Sequence, residues 1–303
     1  KISDNYNELA LTFKENFSLI FRAYNEGMAY RFISAAKKDF NVVNEVATFN
    51  FAKDWQTFIP YVRDNKQPIE RQFNNSFENT YTHTALSQLD PNRLAFTPMV
   101  VEAEGGVKLC IAESDLENYP GMYVRNEDKS QTLKGVFATY PKETVQGGHN
   151  MLQRMVNSRE DYIAKCKGQT NFPWRIVSVA PQDKDLLNND MVYRLAAPAR
   201  FADTSWIKPG KVAWDWWNDW GIYNVNFKTG VNTETYKAYI DFASKNKIEY
   251  VILDEGWAVN KQADLFQVVP EIDLKEIISY AKSKNVGIIL WAGYYAFNRD
   301  MEH

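Results

Sequence analysis

At 303 residues the chain has room for one large domain or two ordinary ones, and 24% charged with 45% hydrophobic residues is a globular composition. A formal net charge of -3 with scattered basic residues gives no electrostatic basis for binding nucleic acid or an anionic membrane. Two cysteines, Cys110 and Cys166, are too few for a disulfide framework and are expected as buried free thiols, and no run of about 18 apolar residues is present to cross a membrane as a helix.

The first two thirds reads as short strands. "NELALTFKE", "FSLIFRAYNEG", "GMAYRFISA" and "NVVNEVATFNF" are alternating or apolar and bounded by Gly, Asn or Asp. "RLAFTPMVVEAEGGVKLCIAES" reads as two strands around a tight turn at "EAEGGVK", followed by the polar loop "AESDLENYPGMY". "GMYVRNE", "KGVFATYP", "WRIVSVAP" and "MVYRLAAPA" continue the series as strands. One segment breaks it: the hydrophobic spacing of "NMLQRMVNSREDYIAKCK" predicts a helix crossing a sheet. Many strands and few helices predict an antiparallel β-sandwich for residues 1–207.

After Lys208-Pro209-Gly210 the pattern changes. "KVAWDWW" is predicted as a strand, "TETYKAYIDFASKNK" as a helix capped by Thr233, and "IEYVILDEGW" as a strand. "DLKEIISYAKSKN" is predicted as a helix capped by Asp273, and "VGIILWAGYY" as a strand. Strand, helix, strand, helix, strand is the pattern of parallel βαβ units, and it sets residues 208–303 apart as an α/β domain.

In parallel sheets and barrels, ligands bind at the C-terminal ends of the strands. Here those ends read "WDWWND", "LDEGW" and "WAGYYAFNRD", each polar and aromatic. Carboxylates accept hydrogen bonds from sugar hydroxyls, while aromatic rings cover apolar C–H faces. Asp215, Asn218, Asp254, Glu255, Trp257 and Trp291 are therefore the candidate substrate-binding residues. The plainer alternative makes the acids solvated strand ends. It also makes some of Trp214, Trp216, Trp217 and Trp220 core. Asp254 and Glu255 are adjacent, and neighbours on a strand face opposite ways, so they make a poor general acid and base pair. His83 and His149 are placed in polar loops. Neither a zinc pattern nor a Gly-rich phosphate loop is present.

The chain resembles glycoside hydrolase family 97, bacterial α-glucosidases and α-galactosidases. The resemblance runs through "YNEL", "FRAYNEGMAYRF", "FTPMVVEAEGGVKLCIAESDLENYPGMY", "PWRIV", "WDWWN", "YVILDEGW" and "LWAGYYAFNRDME", in this order. It implies an N-terminal β-super-sandwich, here without its first strands, followed by the first three strands of a (β/α)8 TIM barrel. It also implies an active-site calcium ion held by Glu carboxylates, with Glu113 as the matching residue, since hard cations take oxygen ligands. A full barrel takes about 250 residues, so the nucleophile and acid/base of the family are expected beyond His303. Glu302, the last carboxylate, is the remaining candidate base, against the plainer reading of an exposed acid in a first helical turn.

Two functions follow. The first is an α-glycosidase removing terminal α-linked galactose or glucose from an oligosaccharide, of which this chain alone is inactive. The second is a carbohydrate-binding or structural module without catalysis. The family further implies a periplasmic or secreted bacterial protein, and a chain opening "KISDNYNELALTF" is expected to be a segment of a longer one.

Overall fold

The computed structural model of the chain describes residues 3–63 and 66–302. They form two compact units, one of residues up to Lys142 with Ser158–Ala199, the other of Glu143–Asn157 with the residues from Arg200 onward.

The first stretch runs β1 (Asn7–Thr12), β2 (Phe17–Tyr24), β3 (Gly27–Ala35), β4 (Phe40–Val42), β5 (Thr48–Asn50) and β6 (Gln56–Ile59). After the short helix α1 (Ile69–Gln72) come β7 (Thr82–Ala85), β8 (Met99–Glu102), β9 (Lys108–Ser114), β10 (Met122–Arg125) and β11 (Thr132–Phe137). β12 (Pro141–Gly147) and β13 (Gln153–Arg159) form a two-stranded ribbon. β14 (Ala164–Cys166), β15 (Gln169–Asn171) and β16 (Trp174–Ala180) precede α2 (Asp183–Leu187) and α3 (Met191–Leu195).

The main sheet has the order β1-β2-β3-β16-β9-β8-β6-β7, with β15 also paired to β3, and β10-β11-β5 is a smaller sheet. Period-two alternation sends the two faces of β16 into different cores. Trp174 and Ile176 pack with Ala29, Met191 and Leu195, so α3 covers one face. Val177 packs against the cluster of Ile59, Met99, Ile111, Met122 and Leu133, which joins the main sheet to the smaller one. Two sheets sharing a core are consistent with a β-sandwich.

A charged group is buried inside this core. Arg175 on β16 is 1% exposed. Its Nε and Nη2 each donate to Glu45 at 2.8 Å, and Nη1 donates to Glu113 on the neighbouring β9 at 2.6 Å. Burial alone would lower its pKa, but Glu45, with Glu113 and Tyr119 adding to it, turns the shift upward and favours the charged guanidinium. Burial pushes the Glu113 carboxyl up, in spite of Arg175. Both cysteines are free, and burial raises the Cys110 thiol to about 11.

The second unit holds three parallel strands, β17 (Val212–Trp214), β18 (Tyr250–Leu253) and β21 (Gly287–Leu290), in that order. The helices α4 (Thr233–Lys245) and α5 (Leu274–Ser283) connect them, with the small ribbon β19 (Ala258–Val259) and β20 (Asp264–Val268) in between and α6 (Tyr294–Arg299) last. Tyr236, Ile240 and Ala243 put one stripe of α4 into a core with Val251, Leu253, Ile277 and Ala281. Gly287 is required at its place, because a Cβ there would lie 2.6 Å from the Tyr250 ring. Among the described residues no sheet closes into a barrel, and no helix is long and apolar enough to cross a membrane.

Three expectations about helices and caps are corrected here, and His83, expected in a polar loop, lies on β7, paired with Phe58 of β6. Residues 150–167 form β13 and β14 rather than a helix, because a ribbon turning after Gly147 pairs residues that the helical spacing had stacked. Met191–Leu195, expected as a strand, is the helix α3. The cap of α4 is Asn232, whose side chain accepts from the Thr235 N–H at 2.9 Å, one residue before the expected Thr233. Asp273 does cap α5, accepting from the Glu276 N–H at 2.9 Å.

Removing one partner of a buried ion network leaves uncompensated charge. Arg175→Ala, which strands Glu45 and Glu113, should therefore lower stability by about 3–5 kcal/mol. Arg175→Lys should lose less, keeping the charge without the planar fork. Urea denaturation midpoints of the three proteins check this, and an unchanged midpoint for Arg175→Ala contradicts it.

Candidate functional site

The C-terminal ends of β17, β18 and β21 carry the residues singled out by sequence. Asp215 directly follows Trp214, and its carboxylate has no exposed surface. It accepts from the Tyr236 hydroxyl of α4 at 2.7 Å, from the Trp220 indole N–H at 3.0 Å, and from the Asp254 N–H at 3.2–3.3 Å. Burial raises its pKa. The Tyr236 and Asp254 N–H bonds pull it back in part, and the Asp254 charge adds to the rise. Trp220 adopts φ +51°, a left-handed conformation costly for a bulky residue, and its bond to Asp215 helps hold it there. Asp215 thus positions the end of β18 rather than facing solvent.

Asp254 and Glu255 diverge, as neighbours leaving a strand must. The Asp254 carboxylate accepts from the Trp214 indole N–H through one oxygen, and from the Glu255 N–H at 2.6 Å through the other. A carboxylate has about four acceptor sites, so Asp254 keeps capacity for further donors. The Trp214 ring beside it is half-exposed and lies 5.9 Å from the exposed Trp217 ring. These two rings line a groove of about 600 Å³ with Asn218, Tyr223, Tyr239 and Phe242. Asn218 is held there, donating to the Gly221 carbonyl and accepting from the Tyr239 hydroxyl at 2.7 Å. Asp254 is buried behind Trp214 and does not itself line this groove, whose aromatic walls suit a ligand with an apolar ring face.

Glu255 turns the other way. Its Oε1 accepts from the Asn150 side-chain amide and from that of Asn260 at 3.1 Å, while Oε2 lies 3.5 Å from His149 Nε2. Trp257 is buried, with its indole N–H donating to the Trp291 carbonyl at 2.8 Å, and the Trp291 N–H donates to the Leu253 carbonyl at 2.9 Å. Glu255, Trp257 and Trp291 line a cleft of about 10 Å³, the room of a single water. Trp257 therefore offers no stacking surface, while Trp291 is half-buried. Glu302 lies exposed in the turn after α6.

Glu113 sits in the first unit, on β9. Both its oxygens accept from the Met122 N–H, at 3.0 and 3.1 Å, and Oε2 also takes the Arg175 donor. Oε1 keeps a lone pair for a cation, but among the described residues no group of three or more His, Cys, Asp or Glu could hold a metal. These residues do not by themselves fit a calcium site.

The model for the N-terminal part of glycosyl hydrolase 97 matches residues 1–198, and the glycoside hydrolase 97 model matches residues 216–303. The chain belongs to glycoside hydrolase family 97. It is 60% identical to the retaining alpha-galactosidase of Bacteroides thetaiotaomicron, a match that covers 100% of this chain and 46% of that protein. It resembles in fold a family 97 enzyme of Pseudoalteromonas sp. strain K8 solved with acarbose, at TM-score 0.71 and 21% identity, over 95% of this chain and 42% of that one. A beta-arabinopyranosidase matches at TM-score 0.72 and 18% identity, over 97% and 44%. This family 97 chain thus spans less than half the length of these relatives.

Sequence reading missed Tyr236, Asn150 and Asn260. Tyr236 sits on the apolar stripe of α4, where only its hydroxyl marks it as more than core. Asn150 was hidden by the helix expected over its segment, although "GGHN" is turn chemistry.

Asp215→Ala leaves three donors unpaired, at about 1–3 kcal/mol per buried group, and should destabilise the chain by about 3 kcal/mol or more. Tyr236→Phe removes one donor to a buried carboxylate and should cost about 1.5–3 kcal/mol. Urea denaturation ranks the two; equal losses would show that Asp215 is not the hub of these contacts.

Proposed function

We propose that this chain is the sugar-recognising part of a family 97 glycoside hydrolase that releases terminal α-linked galactose with retention of configuration. The observation that carries the reading is the joint placement, at the ends of parallel strands, of the Asp254 carboxylate and the half-exposed Trp214 ring to which it is bonded. The identity of 60% to a retaining alpha-galactosidase favours galactose over glucose and retention over inversion.

In this reading β17, α4, β18, α5 and β21 are the opening units of a (β/α)8 barrel, whose substrates bind at the C-terminal face. Asp254 accepts hydrogen bonds from hydroxyls of the terminal sugar, Trp214 covers an apolar face of its ring, and Asp215 holds both strand ends in register. Retaining hydrolysis needs two carboxyl groups about 5–5.5 Å apart, one as nucleophile and one as acid/base. Asp254 and Glu255 are not assigned to those roles, since each is committed to donors on a different side. Calcium belongs to the proposal through Glu113 Oε1, with its other oxygen ligands coming from outside the described residues, and no step above is routed through it.

The test uses the complete natural protein with p-nitrophenyl α-galactoside and α-glucoside, following the first-formed anomer by NMR. Faster cleavage of the galactoside with α-galactose formed first is expected; β-galactose first would refute retention. Asp254→Ala should lower kcat/KM about 5- to 150-fold, the equivalent of losing about 1–3 kcal/mol of charged hydrogen bonding. Unchanged kinetics would remove Asp254 from the sugar site. For calcium, Glu113→Gln should weaken the ion's binding at least about tenfold, a loss of about 1.4 kcal/mol, and a calorimetric titration matching that of the wild type would remove Glu113 as a ligand.

A further inference from the structure

The first unit carries a cleft of about 580 Å³, the size of a small-molecule site. Its lining comes from the loop after β9, from Tyr140 just before β12, and from β14, β15 and the turn between them. In the loop, Asp115 and Asn118 have φ of +61° and +52°. Left-handed non-glycine residues persist only where their surroundings fix them, and here they do. Asp115 Oδ1 accepts from the Ala197 N–H at 2.9 Å, which pins the loop to the chain after α3. The Tyr119 ring packs 5.3 Å from Phe172 and 6.3 Å from Phe137. On the other side β14 pairs with β4 and β15 with β3, and the Thr170 hydroxyl closes their turn on the Lys167 carbonyl at 2.6 Å. A lining fixed in advance costs a ligand little ordering.

The basic groups of the lining are already engaged. Lys167 Nζ lies 2.8 Å from Asp39, and the Lys165 ammonium sits over the Tyr140 and Tyr162 rings, 4.8 and 5.7 Å from their centroids. What is unspent is neutral. Among the described residues the side-chain amides of Asn118, Gln169 and Asn171 make no hydrogen bond. Gln169 and Asn171 are alternate residues of β15 and so share one face. Asp115 Oδ2 adds an acceptor: its bond to Arg31 is 3.4 Å, longer than the usual N–H···O range, and the side chain is only 13% exposed. Amides both donate and accept, as sugar hydroxyls do, and Tyr119 and Tyr140 add apolar surface for C–H faces.

We propose that this cleft is a carbohydrate-binding site of the first unit, taking a short stretch of a neutral α-galactosyl oligosaccharide. Gln169, Asn171 and Asn118 bond its hydroxyls, and Asp115 Oδ2 accepts from one of them. The choice of galactose rests on the α-galactosidase reading above; the preference for a neutral, hydroxyl-rich ligand rests on the cleft alone. No covalent bond is made or broken here.

The experiment titrates the complete protein calorimetrically with thio-linked α-galactotriose, whose sulfur linkages resist hydrolysis, and measures kcat/KM on p-nitrophenyl α-galactoside in parallel. Wild type is compared with the double variant Gln169→Ala/Asn171→Ala and with Asn118→Gly, which removes the amide and keeps a residue suited to positive φ. All three side chains are exposed, so the variants should melt as the wild type does. The double variant should lose about fivefold or more in affinity for one class of trisaccharide site, and Asn118→Gly about threefold, the losses expected of two and one neutral hydrogen bonds. The aryl galactoside brings a single sugar, and its kcat/KM should stay within about twofold. A wild type that binds no trisaccharide, or variants that bind it unchanged, would overturn the assignment. A wild type that cleaves no α-galactoside, with the variants still losing trisaccharide affinity, would overturn the activity reading and leave the cleft as a sugar site.

Discussion

The second unit is organised around one buried carboxylate. Asp215 has no solvent to share its charge, so the cost of burying it must be met by donors, and they arrive from three places. Trp220 comes from the turn after β17, Tyr236 from the buried face of α4, and the Asp254 N–H from the end of β18. Because all three bond to one acidic group, the strand ends cannot shift independently of the helix. The aim of the Asp254 side chain at Trp214 is thereby conditional on how α4 packs, a link from hydrophobic core to site through a single tyrosine hydroxyl.

The first unit handles a buried charge differently. Arg175 is surrounded by two carboxylates, and the three groups compensate one another with fixed geometry. A network of this type is weak evidence for net stability, since an apolar replacement of similar volume can do as well. Its consequence is registration. Arg175 and Glu113 are direct partners across β16 and β9, so the bond is lost if that pair slips by one residue and sends one of them to the other face. Neutral donors around Asp215 and opposed charges around Arg175 are two solutions to the same desolvation problem. Only the first leaves an acid at a strand end where neighbouring side chains face a groove.

Much of the fold was legible because its signals are local. The strands of the main sheet announce themselves by alternation and bounding turns, and Asp273 marks its helix start three residues before the Glu276 N–H it accepts. Signals failed where a competing period or partner decided the outcome. Leu152, Met155, Val156 and Ile163 have helical spacing, yet Met155 and Val156 lie on a ribbon strand, with Leu152 before it and Ile163 beyond it, because the turn at Gly147-Gly148 folds the chain back. Asn232 and Thr233 are both good caps, and the backbone geometry chooses the first. In the site, the acids of "LDEGW" stand out in one dimension. Their partners do not: Asn150 lies 105 residues from Glu255, and Tyr236 looks like any core aromatic on an amphipathic helix.

An apolar strand that ends in two acids is therefore less anomalous than its text. Val251 and Leu253 are spent in the core shared with α4 and α5. Asp254 then bonds toward β17 and Glu255 toward the β12–β13 turn, so two charges adjacent in sequence sit in different surroundings and are not competing for one set of donors. Gly256 follows with φ +112°, a conformation that L side chains rarely adopt, and this lets the chain reverse at once. The reversal returns Trp257 to the core, where its indole bonds the Trp291 carbonyl at the end of β21. A longer turn would let Glu255 swing with a loop. By bringing Trp257 back within two residues, the chain fixes Glu255 from both sides and gives an exposed strand end the precision of a buried one.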